Sequence, residues 1–502
     1  MNTIENSNKN STDRRSSSWD VQNALPNYAT LIISQGGIIL FSFLNFWYLT
    51  RVLGPEGYGG VVALIAASQT AQIFVGWTNL ALARLGVEEY VTTGKIDKTF
   101  WSKTTISLGN IIFLLILVPF WLSPLSVWLK IPSDVFPLII IHFVVATFGI
   151  HIQSALQAAK LLKLQSFFQL IERIVTFLLF LILFFSDQLT IISALLVYTI
   201  SNLIVALLGF WKISPFITKN LIPDYEWVKK IIFFSLPLFP LSILGFLSAN
   251  YLDVIFISHF LTIKDVGIYS TAYQFVGLAT NFTVGANALL MPMFVSLQSN
   301  QKEGAIEIYL RQILPVIIIF WGLYCSLLAV FGKYFLPLFF GEKFQEASSL
   351  SYVLLSAAVL NSPIFMGYSP LAIAKSMTRQ LLVICLATSF TNVLFNYLLI
   401  PRYGLAGCAW ATVIASVVFS LLSMTFVHHN KKIPFSWCYR TACATVIGAV
   451  STLFGQENFI GLITIFISAV GWAIYERKII LHLIKEPILN PINKFRKRIT
   501  GN

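Results

Sequence analysis

The chain is a succession of long apolar runs broken by short polar segments. Each run has roughly 20 residues, enough to cross a hydrocarbon core of ~30 Å as a helix. Fourteen spans are predicted, at 28–50, 58–83, 104–125, 134–158, 166–186, 189–211, 229–257, 266–294, 308–331, 349–374, 380–400, 404–427, 437–454 and 458–475. Residues 1–27 are polar and are expected to form a disordered tail. Residues 213–228 read as a linker and 477–502 as a basic tail. No loop exceeds roughly 20 residues, too short for a domain with its own core. Function therefore has to reside among the helices.

One stretch, 249–275, breaks the apolar pattern most informatively. Asp253 lies inside apolar sequence just before a helix should end. A charge there costs roughly 2.5–3.5 kcal/mol on insertion scales, so it should face protein or water. Lys264 and Asp265 mark a short wet turn, and Gly267 lets the next helix start close against a neighbour. The pattern recurs 208 positions earlier. Gly267 falls on Gly59, Asp253 on Asn45, Lys264 on Glu56 and Asn287 on Asn79. A half-chain repeat in a membrane protein points to two bundles facing a central site.

Composition agrees with a polytopic membrane protein. Of 502 residues 57% are hydrophobic and 11% charged, and the mean hydropathy is +0.77, where a soluble chain carries about 25% charge. The first apolar run is too long for a cleavable signal peptide. The five cysteines make no CxxC pair and read as small packing residues. The net charge of +13 is explained by its distribution. With an inside N-terminus, 27 of the 34 Lys and Arg residues fall on cytoplasmic segments and 6 outside, leaving Arg173 within a helix. That asymmetry is the positive-inside signature and places both termini in the cytoplasm. It gives no reason to expect a nucleic-acid partner. There is no Walker sequence, HExxH or GxSxG, so neither an enzyme nor a cofactor is expected.

Three stretches carry a resemblance to a known family. They are Leu49-Thr-Arg-Val-Leu-Gly-Pro-Glu-Gly-Tyr-Gly59, the segment Asp253 to Gln274, and the segment Asn396 to Thr412, which contains Ile-Pro-Arg-Tyr-Gly404. In these the chain resembles the polysaccharide transporters, or oligosaccharide flippases, of the multidrug/oligosaccharidyl-lipid/polysaccharide exporter superfamily. The resemblance implies an all-α polytopic membrane protein with about 14 transmembrane helices. Two six-helix lobes, here 28–212 and 229–428, would surround a central cavity, with two extra helices in 429–476. It further implies a bacterial inner-membrane protein that moves glycans on undecaprenyl pyrophosphate to the outer leaflet by alternating access. An H+ or Na+ gradient would drive it, and other polysaccharide assembly proteins would work beside it. A drug/cation antiporter of the same superfamily is the alternative. An intramembrane glycan polymerase is disfavoured, because the six histidines form no acid/base constellation.

Within this frame the polar residues of the spans are the candidates. Arg173, deep in span five, offers a bidentate fork to a pyrophosphate; the alternative is a structural ion pair or a snorkelling side chain. Glu172 is either a coupling carboxylate or its local counter-charge. Asn45 is the first-half equivalent of Asp253. Gln69, Gln72, Gly76 and Asn79 line one face of span two, as do Gln274, Gly277, Asn281 and Gly285 on span eight. Amides there suit sugar hydroxyls or serve as interhelical glue. Asp253, Arg51, Gly59 and Gly267 are assigned gating or structural roles, with structure favoured for Asp253 and Arg51. Arg84, Arg311 and Lys375 are cytoplasmic rim candidates. Pro237, Pro240, Pro292, Pro315, Pro363 and Pro370 are expected to bend spans seven to ten.

The charge distribution makes a direct prediction. Reporters fused at Lys302 and Lys431 should report cytoplasm and one at Lys343 the outside; an external signal at Lys431 overturns the fourteen-span topology.

Overall fold

A computed structural model describes residues 21–217, 223–236, 239, 250–299, 303–375, 377–431 and 435–455, with isolated helical positions between 463 and 474. The expected N-terminal tail up to residue 20, Pro237, Pro240, Lys302 and the basic C-terminal tail lie outside the described residues. Among the described residues the protein is all-α with no strand. Eight stretches are long and apolar enough to cross a membrane, and two of these are double-length.

The first helix, α1, runs Val21–Gly76 and so begins inside the expected polar tail. It turns sharply at Gly54, whose φ is 67°. Pro55 explains the position, because the residue before a proline avoids the helical region and glycine alone takes positive φ cheaply. Helices α2 (Asn79–Thr93), α3 (Asp97–Ile116) and α4 (Val118–Leu129) follow. Spans two and three thus each break where one continuous helix was expected, after Gly76 and at Leu117. Helix α5 is Phe136–Ala158, α6 Leu162–Phe185, α7 Ile191–Ile213 and α8 Tyr225–Ser235. Span seven resumes as α9 (Tyr251–Phe260), and α10 (Ile263–Ser299) follows. Then come α11 (Glu303–Ile308), α12 (Leu314–Phe340), α13 (Gln345–Pro363), α14 (Ser369–Ala374), α15 (Thr378–Lys431) and α16 (Phe435–Gly455). Helix α15 repeats the device of α1, turning at Gly404 with φ 60° just after Pro401.

The prolines of spans nine and ten flank two π-helical turns, Tyr309–Ile313 and Ile364–Tyr368. Pro370 has no N–H for the carbonyl of Met366 four residues earlier. That carbonyl accepts instead from the Tyr309 hydroxyl at 2.8 Å. The bend is therefore held by a hydrogen bond between two irregular turns.

The chain packs as two units that do not follow the sequence halves. One comprises Met1–Leu53, Ser68–Ser123 and Pro132–Phe239; the other comprises Gly54–Ala67, Pro124–Ile131 and Pro240–Asn502. In the first unit a core of Leu82, Ile96, Phe100, Ile152 and Leu156 joins α2, α3 and α5. Glu89 caps α3: its carboxylate accepts from the backbone N–H groups of Lys98 and Thr99 at 2.8 and 2.9 Å. Helix α8 is tied on by Lys98–Asp224 and Lys230–Glu88 ion pairs, both 3.1 Å. These are exposed and worth about 0.2–1 kcal/mol each. The hydrogen bond from Lys98 holds Asp224 below the usual carboxylate range. Its contribution is present above the ordinary Asp pKa and is lost as pH falls through the lowered value.

Within the second unit the repeat closes on itself. A methyl at Gly59 would overlap the backbone oxygen of Ile263, and one at Gly267 would overlap that of Pro55. Ile263 is Pro55 displaced by the same 208 positions, so the two contacts are related by a local pseudo-twofold. The turn before Gly267 is fixed by Asp265, whose carboxylate accepts from the Thr262 N–H at 2.9 Å and from its hydroxyl at 2.6 Å.

Because backbone meets backbone, Gly59→Ala should cost about 1–3 kcal/mol through overpacking. Gly109→Ala, where a methyl meets open space, is the control. Thermal unfolding of the two purified variants checks this; equal melting temperatures would show that the crossing tolerates a side chain.

Candidate functional site

The sharpest polar cluster lies in the second unit. Asp253 on α9 is 5% exposed and touches two other helices. Its Oδ2 accepts from the Tyr269 hydroxyl of α10 at 2.8 Å, and its Oδ1 accepts from the Asn396 amide of α15 at 2.8 Å. Asn396 also donates to Asn392 Oδ1 at 3.1 Å. The hydroxyls of Tyr269 and Thr412 lie 3.5 Å apart. No Lys or Arg pairs with the carboxylate among the described residues; the ion pairs are the two that hold α8. Asn396 Oδ1 is buried with no partner. The cluster is thus a membrane-buried carboxylate held by neutral donors and surrounded by oxygen.

Asp253 also borders a cavity of about 320 Å³. Its walls include Tyr273, Thr280 and Thr283 of α10, Asn361 of α13, Phe365 of the π turn, and both arms of α15. Asn361 donates to Ser416 Oγ at 3.0 Å, while its own Oδ1 is buried and unpaired. Phe365 and Phe419 meet edge to face at 6.4 Å.

The sequence candidates are distributed as follows. Asp253 anchors this cluster. Gln274 and Asn281 are exposed, and the cavity is lined by the neighbouring face of the same helix. In the first unit Gln72 is buried and donates to the Phe143 carbonyl at 3.1 Å and to Thr147 Oγ1 at 3.0 Å, so it joins α1 to α5. Gln69 and Asn79 are half-buried. Asn45 donates to the backbone carbonyl of Arg173 at 2.9 Å, and its own oxygen is buried and unpaired. Arg173 is half-buried and among the described residues forms no ion pair with a carboxylate on another helix; Glu172 beside it and Tyr198 on α7 are its electrostatic neighbours. Since α6 runs Leu162–Phe185, Arg173 lies ~17 Å along it, about midway. Arg84 is exposed over the Phe234 ring at 5.0 Å. Arg51 and Arg311 are exposed, and Lys375 is half-buried at the end of α14.

Sequence reasoning missed Tyr269, Asn361, Asn392, Asn396, Thr412 and Ser416. The signal was present: Asn396 and Thr412 bound the third motif, and Asn392/Asn396 and Thr412/Ser416 are each four apart on one helical face.

A sequence profile described as "Polysaccharide biosynthesis protein" matches residues 24–298, more than half of the chain. The chain belongs to this polysaccharide biosynthesis family. Two relatives with curated descriptions are distantly similar. The probable low-salt glycan biosynthesis flippase Agl15 of Haloferax volcanii is 25% identical over 55% of this chain and 58% of its own length. The capsular polysaccharide biosynthesis protein CapF of Staphylococcus aureus is 28% identical over 52% of this chain and 66% of its own. The match thus spans about three fifths to two thirds of these relatives. Among solved structures, the lipid II flippase MurJ, in an inward closed conformation, aligns with 88% of this chain and 100% of its own at TM-score 0.62 and 15% identity. The MATE multidrug transporter DinF-BH aligns with 81% and 95% at TM-score 0.57 and 16% identity. The family member described here therefore has the fold of the multidrug/oligosaccharidyl-lipid/polysaccharide exporters and is a multi-pass membrane protein.

The Asp253 bonds define a test of the cluster. Asp253→Asn leaves one acceptor oxygen where the carboxylate has two, so Tyr269 and Asn396 cannot both keep their bonds, and it should lower the amount of folded protein, at about 1.5–3 kcal/mol per lost bond to a charged group. The exchange Asp253→Asn with Asn396→Asp restores an acid–amide pair and should recover much of that loss. Membrane levels by in-gel fluorescence decide; no recovery in the double variant would mean that the bond is not what holds the helices.

Proposed function

We propose that the chain is a flippase that carries a lipid-linked oligosaccharide or polysaccharide repeat unit from the inner to the outer leaflet by alternating access. Its carrier lipid is an undecaprenyl pyrophosphate, its membrane the bacterial inner membrane, and its termini are cytoplasmic. The observation that carries this reading is the family match over residues 24–298, with relatives described as a glycan flippase and a capsular polysaccharide protein. The fold alone fits a drug antiporter equally well, since both kinds of exporter align.

Two features support the mechanism. Moving a pyrophosphate out of water costs several kcal/mol per charge even after relaxation, and fixed positive charge offsets it. Arg173 supplies such a charge about midway along its helix, and among the described residues no carboxylate from another helix pairs with it. A coupling cation, H+ or Na+, is assigned to Asp253. The residues fit one: among the described residues the carboxylate has no positive partner, and Asn396 Oδ1 is buried with no donor to accept from. Hydroxyl, amide and carboxylate oxygens suit a hard cation. Glycosyltransferases and a polymerase are the expected working partners.

Arg173→Ala should abolish glycan export while the protein still accumulates in the membrane, and Arg173→Lys should restore part of it, since it keeps the charge but loses the fork. Surface glycan and accumulated lipid-linked precursor are the readouts. Full export by a well-expressed alanine variant removes the head-group role, and export unchanged after collapse of both the H+ and Na+ gradients removes the coupling.

A further inference from the structure

The cavity beside Asp253 has a chemistry of its own, set by where its hydroxyl hydrogens go. Thr280 donates to the Gly277 carbonyl at 3.3 Å and Thr283 to that of Thr280 at 2.7 Å. Thr388 donates to Ile384 O at 2.9 Å, Thr412 to Cys408 O at 3.3 Å and Ser416 to Thr412 O at 2.8 Å. Each hydrogen is committed to the hydroxyl's own helix, the usual back-bond of Ser and Thr. What each hydroxyl presents to the cavity is lone pairs. Asp253 adds its carboxylate. Donors are fewer: Tyr273, Ser389 and the Asn392 amide. Among the described residues no Lys, Arg or His lines the cavity.

The wall therefore suits a ligand that brings hydrogen-bond donors and no negative charge. It rejects phosphate and carboxylate, which would face lone pairs and a like charge with nothing to compensate. Size narrows the choice further. A cavity of about 320 Å³ exceeds what a monatomic cation needs, being roughly ten waters' worth at ~30 Å³ each. It sits at the lower end of ligand pockets, about 300–1,000 Å³. Phe365 and Phe419 give it one apolar wall, able to take the C–H face of a ring whose edges carry hydroxyls.

We propose that this cavity is a sugar subsite, which takes one neutral or amino sugar ring of the transported glycan. The back-bonded threonine oxygens accept its hydroxyls, Asn361 packs beside them, and Phe365 and Phe419 cover its apolar face. The assignment rests on the flippase reading and adds to it a place within the second unit where part of the glycan is read.

Direct binding tests this without transport. Saturation-transfer NMR on the purified full chain in nanodiscs, against methyl glycosides of glucose, galactose, rhamnose, N-acetylglucosamine and glucosamine, should show transfer from at least one. Inorganic pyrophosphate should not displace it. Thr388→Val, which removes an acceptor and keeps the shape, should weaken binding about fivefold, the equivalent of ~1 kcal/mol; Asn361→Leu and Phe419→Ala should weaken it further. Because the Thr388 hydrogen serves its own helix, the valine variant should melt like the parent, so a loss of binding cannot be put down to unfolding. No transfer from any glycoside, or transfer unchanged in all three variants, overturns the subsite. If the parent nonetheless exports its glycan in cells, the flippase reading survives that failure. Binding of rhodamine 6G in place of any glycoside, lost in Asn361→Leu, overturns the subsite in favour of an organic-cation pocket, and the flippase reading then falls only if export in cells fails as well.

Discussion

A carboxylate placed in a membrane must be given hydrogen bonds by protein, because lipid offers none and the cost of leaving it bare is several kcal/mol. Asp253 meets that constraint by drawing Tyr269 and Asn396 to itself from two other helices. The three elements then have to meet at one depth, and the lining of the adjoining cavity follows from where they meet. Among the described residues no Lys or Arg pairs with the carboxylate, so its bonds come from neutral groups alone.

The first half of the chain handles the matching position differently. Asn45, at the place of Asp253 in the repeat, binds the backbone carbonyl of Arg173 and keeps its own oxygen unpaired. Charge there is carried by the Glu172 and Arg173 pair one helix away. The repeat thus preserves a polar contact between corresponding helices and exchanges a charged partner for a neutral one.

Spans, turns and the glycine positions were legible because they depend on local rules. Apolar length marks helices, Gly54-Pro55 and Pro401 to Gly404 mark reversals, and a buried acid announces itself in apolar sequence. Interruptions within spans were not legible from apolar length alone. The break at Leu117 lies two residues before Pro119, which has no N–H for the helical ladder, and the break after Gly76 runs into the polar pair Thr78-Asn79. Nor was the cavity. The amides of Gln274 and Asn281 stand out in sequence, whereas the cavity is walled by threonines and serines, which are ordinary in membrane helices. Their meaning depends on the direction of a hydroxyl hydrogen, which only the backbone geometry reveals. Gln72 is the converse case: it has the look of a binding residue and serves as a strut between α1 and α5.

The crossing of Gly59 and Gly267 has a consequence for how such a sequence can change over time. Each glycine is crowded by backbone from the other repeat, and backbone cannot be trimmed by mutation. A side chain gained at either position is therefore not accommodated by any single compensating substitution nearby; the whole opposite strand of chain would have to shift. Two positions 208 residues apart are in this respect one heritable unit. Duplicated halves that otherwise drift apart in sequence remain tethered there, so the pair should behave as a fixed point when chimaeras are assembled by exchanging one half for that of a relative.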